Sequence, residues 1–392
     1  IRFTLDDWVY VPGMSTVGVI GGRPYLNISI FATLFYGMGR NRQDLLSYME
    51  STLYMRLPEE MPLPSVPVSR GTWLRSMLNA VQVQRKQRRG VQQTPAYLDA
   101  NKEWFRAIRE AIQSQATTSG LHDLWQAVIK PHVKTGVWCV LGSATHSAEY
   151  TQRLRRQLAD LVGPEDADLL IANLSMGDAP LESLGPVVGL EKLARGEISR
   201  SAYLEDHGHR GPQEFELSVP RPAEDPAWLE QELERFRRSP VDVGELVSRQ
   251  RQAYDAAWKR LQAHPSRTVK PLDVRLTESA RRARVRELAR SAYVRDRWAV
   301  RLWALRAGEL TGLGDRIFYL TLDELLALLC DERDATDAIG PRMEAYEEYR
   351  SLPPYPSVIR GRFDPFTWAA DPNRPTDIFD EQQSKPEGAE PN

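Results

Sequence analysis

The longest uninterrupted helical pattern in the chain runs from Glu278 to Leu310 with no proline inside it. A helix of that length, at ~1.5 Å per residue, spans on the order of a small domain. At ~100° per residue, Arg286, Arg290, Arg297 and Arg301 fall within ~60° of one another, with Tyr293 in the same sector and Arg282 extending it. Val285, Leu288, Ala292, Ala299, Trp303 and Leu310 cluster on the opposing side. The pattern predicts a helix with one buried face and a basic ridge on the other. No acid on the helix shares that sector, and like charges at i, i+4 repel one another. Such a ridge suits an anion, phosphate above all. A solvated charged face is the alternative reading.

The rest of the chain reads as mostly α. A large multi-helix domain spans 1–370, with a small extended or β element at 9–30, including the run Trp8–Gly13 and a hairpin turned at Gly21-Gly22. Helices are predicted at Trp73–Arg89 and Tyr97–Gln115, separated by a polar turn at Gln84–Thr94. A further stretch, Leu121–Val140, carries a kink or break at Pro131. More helices follow at Glu149–Val162, Glu165–Leu174, Pro186–Gly196, Trp228–Arg238 and Val243–His264, then a proline-marked crossing at His264–Leu272. Asp225 reads as the cap of the helix that begins at Pro226. Arg316–Leu320 reads as extended, and Thr321 with Glu324 forms a capping box opening a helix through Leu329. Arg342–Arg350 is one more helix. The acidic, proline-rich stretch 371–392 is expected to be a disordered linker. No βαβ alternation appears, which excludes a doubly wound sheet.

Composition narrows the function classes. Lys and Arg number 51 against 53 Asp and Glu, a net charge of −2, which argues against a dedicated nucleic-acid binder. No apolar run reaches the length of a membrane span, and Ile1–Asp7 lacks the basic-then-apolar pattern of a signal. A cytoplasmic location is the expectation. Two distant cysteines, Cys139 and Cys330, make neither a disulfide framework nor a zinc knuckle and read as buried thiols. The phosphate-loop, HExxH, GxSxG and CxxC motifs are absent. Gly18–Gly22 precedes an extended segment rather than a helix, so it reads as a turn and not as a dinucleotide fingerprint.

One dense constellation remains: His207-Gly-His209-Arg210-Gly211-Pro212 with Glu214 and Glu216, on a glycine- and proline-rich loop spanning Ala202–Asp225. His at i and i+2 can place two nitrogens on one side of an extended segment. Three readings stand: a metal site completed by Asp206 or Glu214, an interhelical loop whose polar groups satisfy each other, and a loop that contacts a ligand or partner domain.

Taken in order, four stretches resemble the phosphoenolpyruvate synthase-like enzymes, rifampicin phosphotransferases among them. These are GGRPYLNIS (Gly21–Ser29), DHGHRGPQEFELSVPRPAEDPAW (Asp206–Trp228), RELAR (Arg286–Arg290) with Arg295 and Arg301 beyond it, and DRIFYLTLDEL (Asp315–Leu325). The resemblance covers roughly residues 9 to 360. It implies the large helical middle domain, which binds the phosphoryl acceptor between an ATP-grasp-like domain and a mobile domain with a phosphorylated histidine. A phosphohistidine signature is absent from this chain, so it is expected to be part of a longer enzyme and catalytically incomplete alone. By resemblance, Arg286 and Arg290 are the catalytic basic residues facing the transfer point. His207, His209, Arg210, Glu214, Arg297 and Arg301 are the expected substrate-binding set. Rifampicin phosphotransferases carry R-E-Y-P-K where this chain has R-E-L-A-R, so rifampicin is not implied as the acceptor. No cofactor is expected in this chain; ATP and Mg²⁺ belong to the nucleotide domain. The expected partners are a small-molecule acceptor and the two other domains, not nucleic acid or membrane. The rival readings are a non-catalytic helical interaction or scaffold module and a free-standing metal hydrolase.

Overall fold

The computed structural model describes residues 15–53, 57–58, 60–174, 184–240, 242–264 and 270–382. The Trp8–Gly13 run, most of the crossing at 265–269 and the end of the tail, 383–392, lie outside the described residues. The chain divides into two compact units. One contains residues 28–318, and the other combines Ser15–Asn27 with residues from Tyr319 onward.

The first unit is helical. Its elements are α1 (Ile28–Gly37), α2 (Arg42–Leu53), α3 (Arg70–Ser114), α4 (Thr118–Leu124), α5 (Lys130–Val162), α6 (Pro164–Leu174), α7 (Gly185–Ala194), α8 (Arg200–His207), α9 (Pro226–Arg238), α10 (Val243–Gln262) and α11 (Lys270–Thr311). The long helices α3, α5 and α11 pack against one another and form the centre. Toward one end, Leu154 and Leu158 of α5 bury against Ala167 and Leu170 of α6, Ala257 and Leu261 of α10, and Leu272 and Leu276 of α11. A smaller cluster, Leu190, Tyr203, Leu229 and Leu233, joins α7, α8 and α9. No helix among the described residues is long and apolar enough to cross a membrane.

Two local expectations change and one holds. The polar turn at 84–94 is absent: α3 runs unbroken through Pro95. Gly90 lies against the backbone of Trp138, and Gly142 against that of Gln87, so small residues let α3 and α5 approach closely enough to hold the helix across its proline. The charges at 84–89 are on the outer side of that helix rather than in a turn. Near Pro131 the chain does change course, through a π-helical segment, Trp125–Ile129, that leads into α5 with Pro131 in its first turn. Gly314–Tyr319 is a 3₁₀ turn, not an extended segment.

In the second unit, β1 (Val17–Ile20) pairs antiparallel with β2 (Arg23–Leu26). Gly21 and Gly22 make the turn with φ of 50° and 78°, a conformation that favours glycine. Arg23 lies over the Tyr355 ring at 3.7 Å and donates to the Pro353 carbonyl at 2.9 Å. The expected capping box opens α12 (Leu322–Leu329), whose Glu324 also accepts from Arg342 of α13 (Ile339–Ser351). Beyond it, β3 (Val358–Arg360), α14 (Pro365–Ala370) and β4 (Ile378–Asp380) follow, with β3 and β4 parallel. β4 falls inside the stretch whose composition predicts linker. Arg360 holds it by donating to Asp380 at 2.8 Å. Cys139 is buried and Cys330 partly so.

Candidate functional site

The middle of α11 is enclosed on nearly every side. From Ser291 to Arg301 all residues except Tyr293 are buried. A helix enclosed this way must give its polar side chains partners, because an unpaired buried charge is costly. Toward α3 and α5 it does so. Asp296 accepts from the Tyr97 hydroxyl at 2.6 Å and from Asn101 Nδ2 at 2.7 Å, and lies 3.2 Å from His132 Nε2. Arg295 donates to Asn101 Oδ1 at 2.9 Å. The His132 ring stacks on Trp104 at 3.5 Å.

A second part of the helix lies under the histidine-bearing loop. Helix α8 ends at His207, with Gly208 as its cap. A side chain at Gly208 would press into the Leu204 carbonyl and the Ala223 methyl. The Ala223 amide donates to the Gly208 carbonyl at 3.1 Å and closes the loop. The Glu224 carboxylate accepts from the Arg221 backbone amide at 2.7 Å across the short turn at Pro222, and Asp225 then caps α9 as expected. Two loop carboxylates reach α11. Glu214 accepts from Arg210 Nε at 2.8 Å and from Arg290 at 2.9 Å. Glu224 accepts from Arg301 Nε at 2.8 Å and from Trp298 Nε1 at 3.0 Å. Arg301 also donates to the Leu217 carbonyl at 2.7 Å.

These contacts correct the exposed-ridge reading. Arg297 and Arg301 are 1% and 6% exposed, and the loop meets Arg301 through Glu224 and the Leu217 carbonyl. Only Arg290, whose side chain is 49% exposed, and in part Arg286 reach solvent. The acids that balance Arg290 and Arg301 come from residues 214 and 224, which a helical wheel of α11 cannot show, whereas Arg282 finds Glu278 on the helix itself, against the expectation that no helix acid serves the ridge. The structure thus brings Arg210, Glu214, Arg290 and Arg301 into one loop–helix contact, with Arg297 on the same helix face and His209 on the same loop. Arg286 pairs with its neighbour Glu287 at 3.0 Å. The two histidines do not lie on one extended segment. The His207 ring sits 5.2 Å from that of Tyr203 and beside Gly185 and Gly189 of α7. His209 is buried with Nε2 3.0 Å from Ser291 Oγ. Burial first, then the neighbouring Arg295 and Arg210, push its pKa well below the ordinary value, so it is neutral at pH 7. Among the described residues no group of three or more His, Cys, Asp or Glu is placed to hold a metal ion.

Sequence reasoning missed Arg221, Glu224 and Trp298. No local signal marks the first two, because an arginine cannot be the accepting residue of a capping box. The Asp296 network had none, because its partners are nearly 200 positions away in the chain. Beside the loop, a pocket of about 460 Å³ is lined by Phe105, Trp298 and Leu204 together with Lys102, Arg106 and Arg295. Phe105 and Trp298 stack at 4.7 Å.

Residues 106–296 match the family model described as the rifampicin phosphotransferase fourth domain. The matched stretch is shorter than the 9–360 suggested by the motifs. It includes the histidine loop and the RELAR segment. The chain is also 31% identical over 146 residues to the prodigiosin synthesizing transferase PigC of Serratia marcescens, a match covering 36% of this chain and 16% of that protein.

Proposed function

We propose that this chain is the acceptor-binding helical domain of an ATP-dependent phosphotransferase that works through a phosphohistidine carried on another domain. The observation that carries this reading is the anchoring of Arg290 by Glu214 of the histidine loop, inside the family-matched segment. Glu214 fixes one side of a guanidinium that stays half exposed. Arg286, steadied by Glu287, lies one helical turn away. Both arginines are therefore oriented yet accessible. Arg286 and Arg290 neutralise charge on the phosphoryl group as it leaves the histidine, an electrostatic role that preorganised donors perform well. Arg210 positions Glu214, and the neutral His209 packs behind it. The pocket at Phe105 and Trp298 receives the acceptor, with aromatic faces for its apolar part and Lys102, Arg106 and Arg295 for its polar groups. ATP and Mg²⁺ act at the nucleotide domain, and this chain supplies no ligand to them.

The test uses the chain together with nucleotide-binding and phosphohistidine domains. Arg286→Ala and Arg290→Ala are each expected to slow acceptor phosphorylation by ~10²–10³. ATP-dependent labelling of the histidine should continue in both. Undiminished transfer in both variants would remove the assignment.

A further inference from the structure

Between the loop and α11, five guanidinium groups (Arg210, Arg221, Arg290, Arg297 and Arg301) accompany two carboxylates, Glu214 and Glu224. The other two acids of the loop face elsewhere: Glu216 turns back to Ser218, and Asp225 caps α9. Arginine does not lose its proton in a protein, so this layer holds a surplus of positive charge. The surplus has an address. Arg297 lies on the same helix face as Arg290 and Arg301, yet both of its terminal nitrogens are buried and meet no acceptor among the described residues. Arg221 Nε and one terminal nitrogen of Arg210 are likewise buried without a partner. Every other polar commitment of these side chains is to the loop itself: Arg221 to the Glu216 carbonyl at 3.0 Å, and Arg210 to Glu214.

We propose that α11 and the loop 208–225 enclose a binding site for a phosphate-type oxyanion centred on Arg297. A water molecule would satisfy donors but leave the charge uncancelled. A single carboxylate would cancel only part of it. A phosphate group carries up to two negative charges and several acceptor oxygens, and the planar fork of Arg297 can bind it through two parallel hydrogen bonds. Arg297 is covered, so the ligand enters when the loop lifts. The turn at Gln213, with φ of 55°, and the contact between the Ala223 amide and the Gly208 carbonyl are the points that must give. The site goes beyond the transfer role assigned to Arg286 and Arg290. It would hold an oxyanion with no donor domain present, so the two readings fail separately.

The experiment is calorimetric titration and thermal denaturation of the 392-residue chain with inorganic phosphate, at ionic strength fixed with potassium chloride. Methyl phosphate and acetate are run in parallel. Wild type is expected to bind phosphate saturably with a rise in Tm, and to ignore acetate. Arg297→Met, which removes the unpaired charge and keeps the bulk, is expected to be at least as stable as wild type in chloride and to lose the phosphate response. Arg297→Lys keeps the charge without the fork and should bind roughly tenfold more weakly; it decides the matter if Arg297→Met does not fold. Tighter binding of methyl phosphate assigns the site to a phosphate ester, and tighter binding of inorganic phosphate to the free ion. Wild type that binds neither, or phosphate binding unchanged by the Arg297 substitutions, overturns the proposal.

Discussion

Asp296 and Arg297 are neighbours in sequence, both buried in the middle of α11, and the protein treats them in opposite ways. Asp296 meets Tyr97, Asn101 and His132, all from the helices that pack on it. Arg297 meets none with its terminal nitrogens. On the α3 and α5 side the polar network closes on itself, which ties the register of three helices to one carboxylate. Beneath the loop the donors outnumber the acceptors. A buried polar group with all its partners present serves the fold. One without them is where a ligand can contribute what the chain does not.

The sharpest way to break this contrast is at Asp296. Asp296→Ala leaves the Tyr97 hydroxyl without its acceptor, leaves the Asn101 amide only the Ala292 carbonyl at 3.4 Å, and removes the carboxylate beside Arg295. Breaking a buried charged network costs ~3–5 kcal/mol. Urea denaturation should show that loss, whereas Arg297→Met next door is expected to show none. A cost below ~1 kcal/mol at Asp296 would mean that the network is not closed in the way its distances indicate.

A smaller effect separates the loop from the helices by pH. His209 is held neutral in the fold, while in the unfolded chain it titrates near 6.5. Its folded pKa is lowered, so the unfolded state binds more protons as pH falls through 6.5. Stability is therefore full above that value and declines below it, at up to ~1.4 kcal/mol per pH unit until the folded pKa is reached. His209→Gln should flatten the decline between about pH 6.5 and 5 in thermal denaturation. An unchanged slope would place the pH dependence elsewhere.

How much of this was legible in the sequence follows from where each partner lies. The capping box of α12, the cap of α9 and the hairpin at Gly21-Gly22 involve residues a few positions apart, and their spacing announced them. The arginine face of α11 was also visible, because helical periodicity places Arg290, Arg297 and Arg301 together. Its burial was not: Glu214 and Glu224 arrive from a loop some 75 residues earlier. The same limit explains α3. Its charges at 84–89 and Pro95 read locally as a turn. The contacts that keep it helical lie across the interface at Trp138 and Gln87, where Gly90 and Gly142 allow close approach. Burial fractions of this kind belong to tertiary contacts, and one sequence without its fold does not carry them.

The smallest expected effect lies at the outer end of the same helix, where an arginine does no more than decorate the surface. Glu278 accepts from Arg281 at 2.7 Å and from Arg282 at 2.6 Å. The hydrogen bond from Arg281 first, and that from Arg282 after it, pull the Glu278 carboxyl down to about 2 against the opposing effect of burial. The contribution of this carboxylate is thus present above its unfolded value and is lost as pH falls from about 4.5 toward 2. Arg281 is 65% exposed, and its removal leaves Glu278 still paired with Arg282, which itself lies over the Tyr150 ring at 4.2 Å. Arg281→Ala should therefore cost less than ~0.5 kcal/mol at pH 7, and less again in high salt. Its clearer trace is a rise in the Glu278 pKa, readable by carboxyl NMR, so that the acid loss begins at higher pH. A cost above ~1 kcal/mol would show that exposed and enclosed arginines of α11 are not distinguished by burial, and the contrast between the two regions would lose its physical basis.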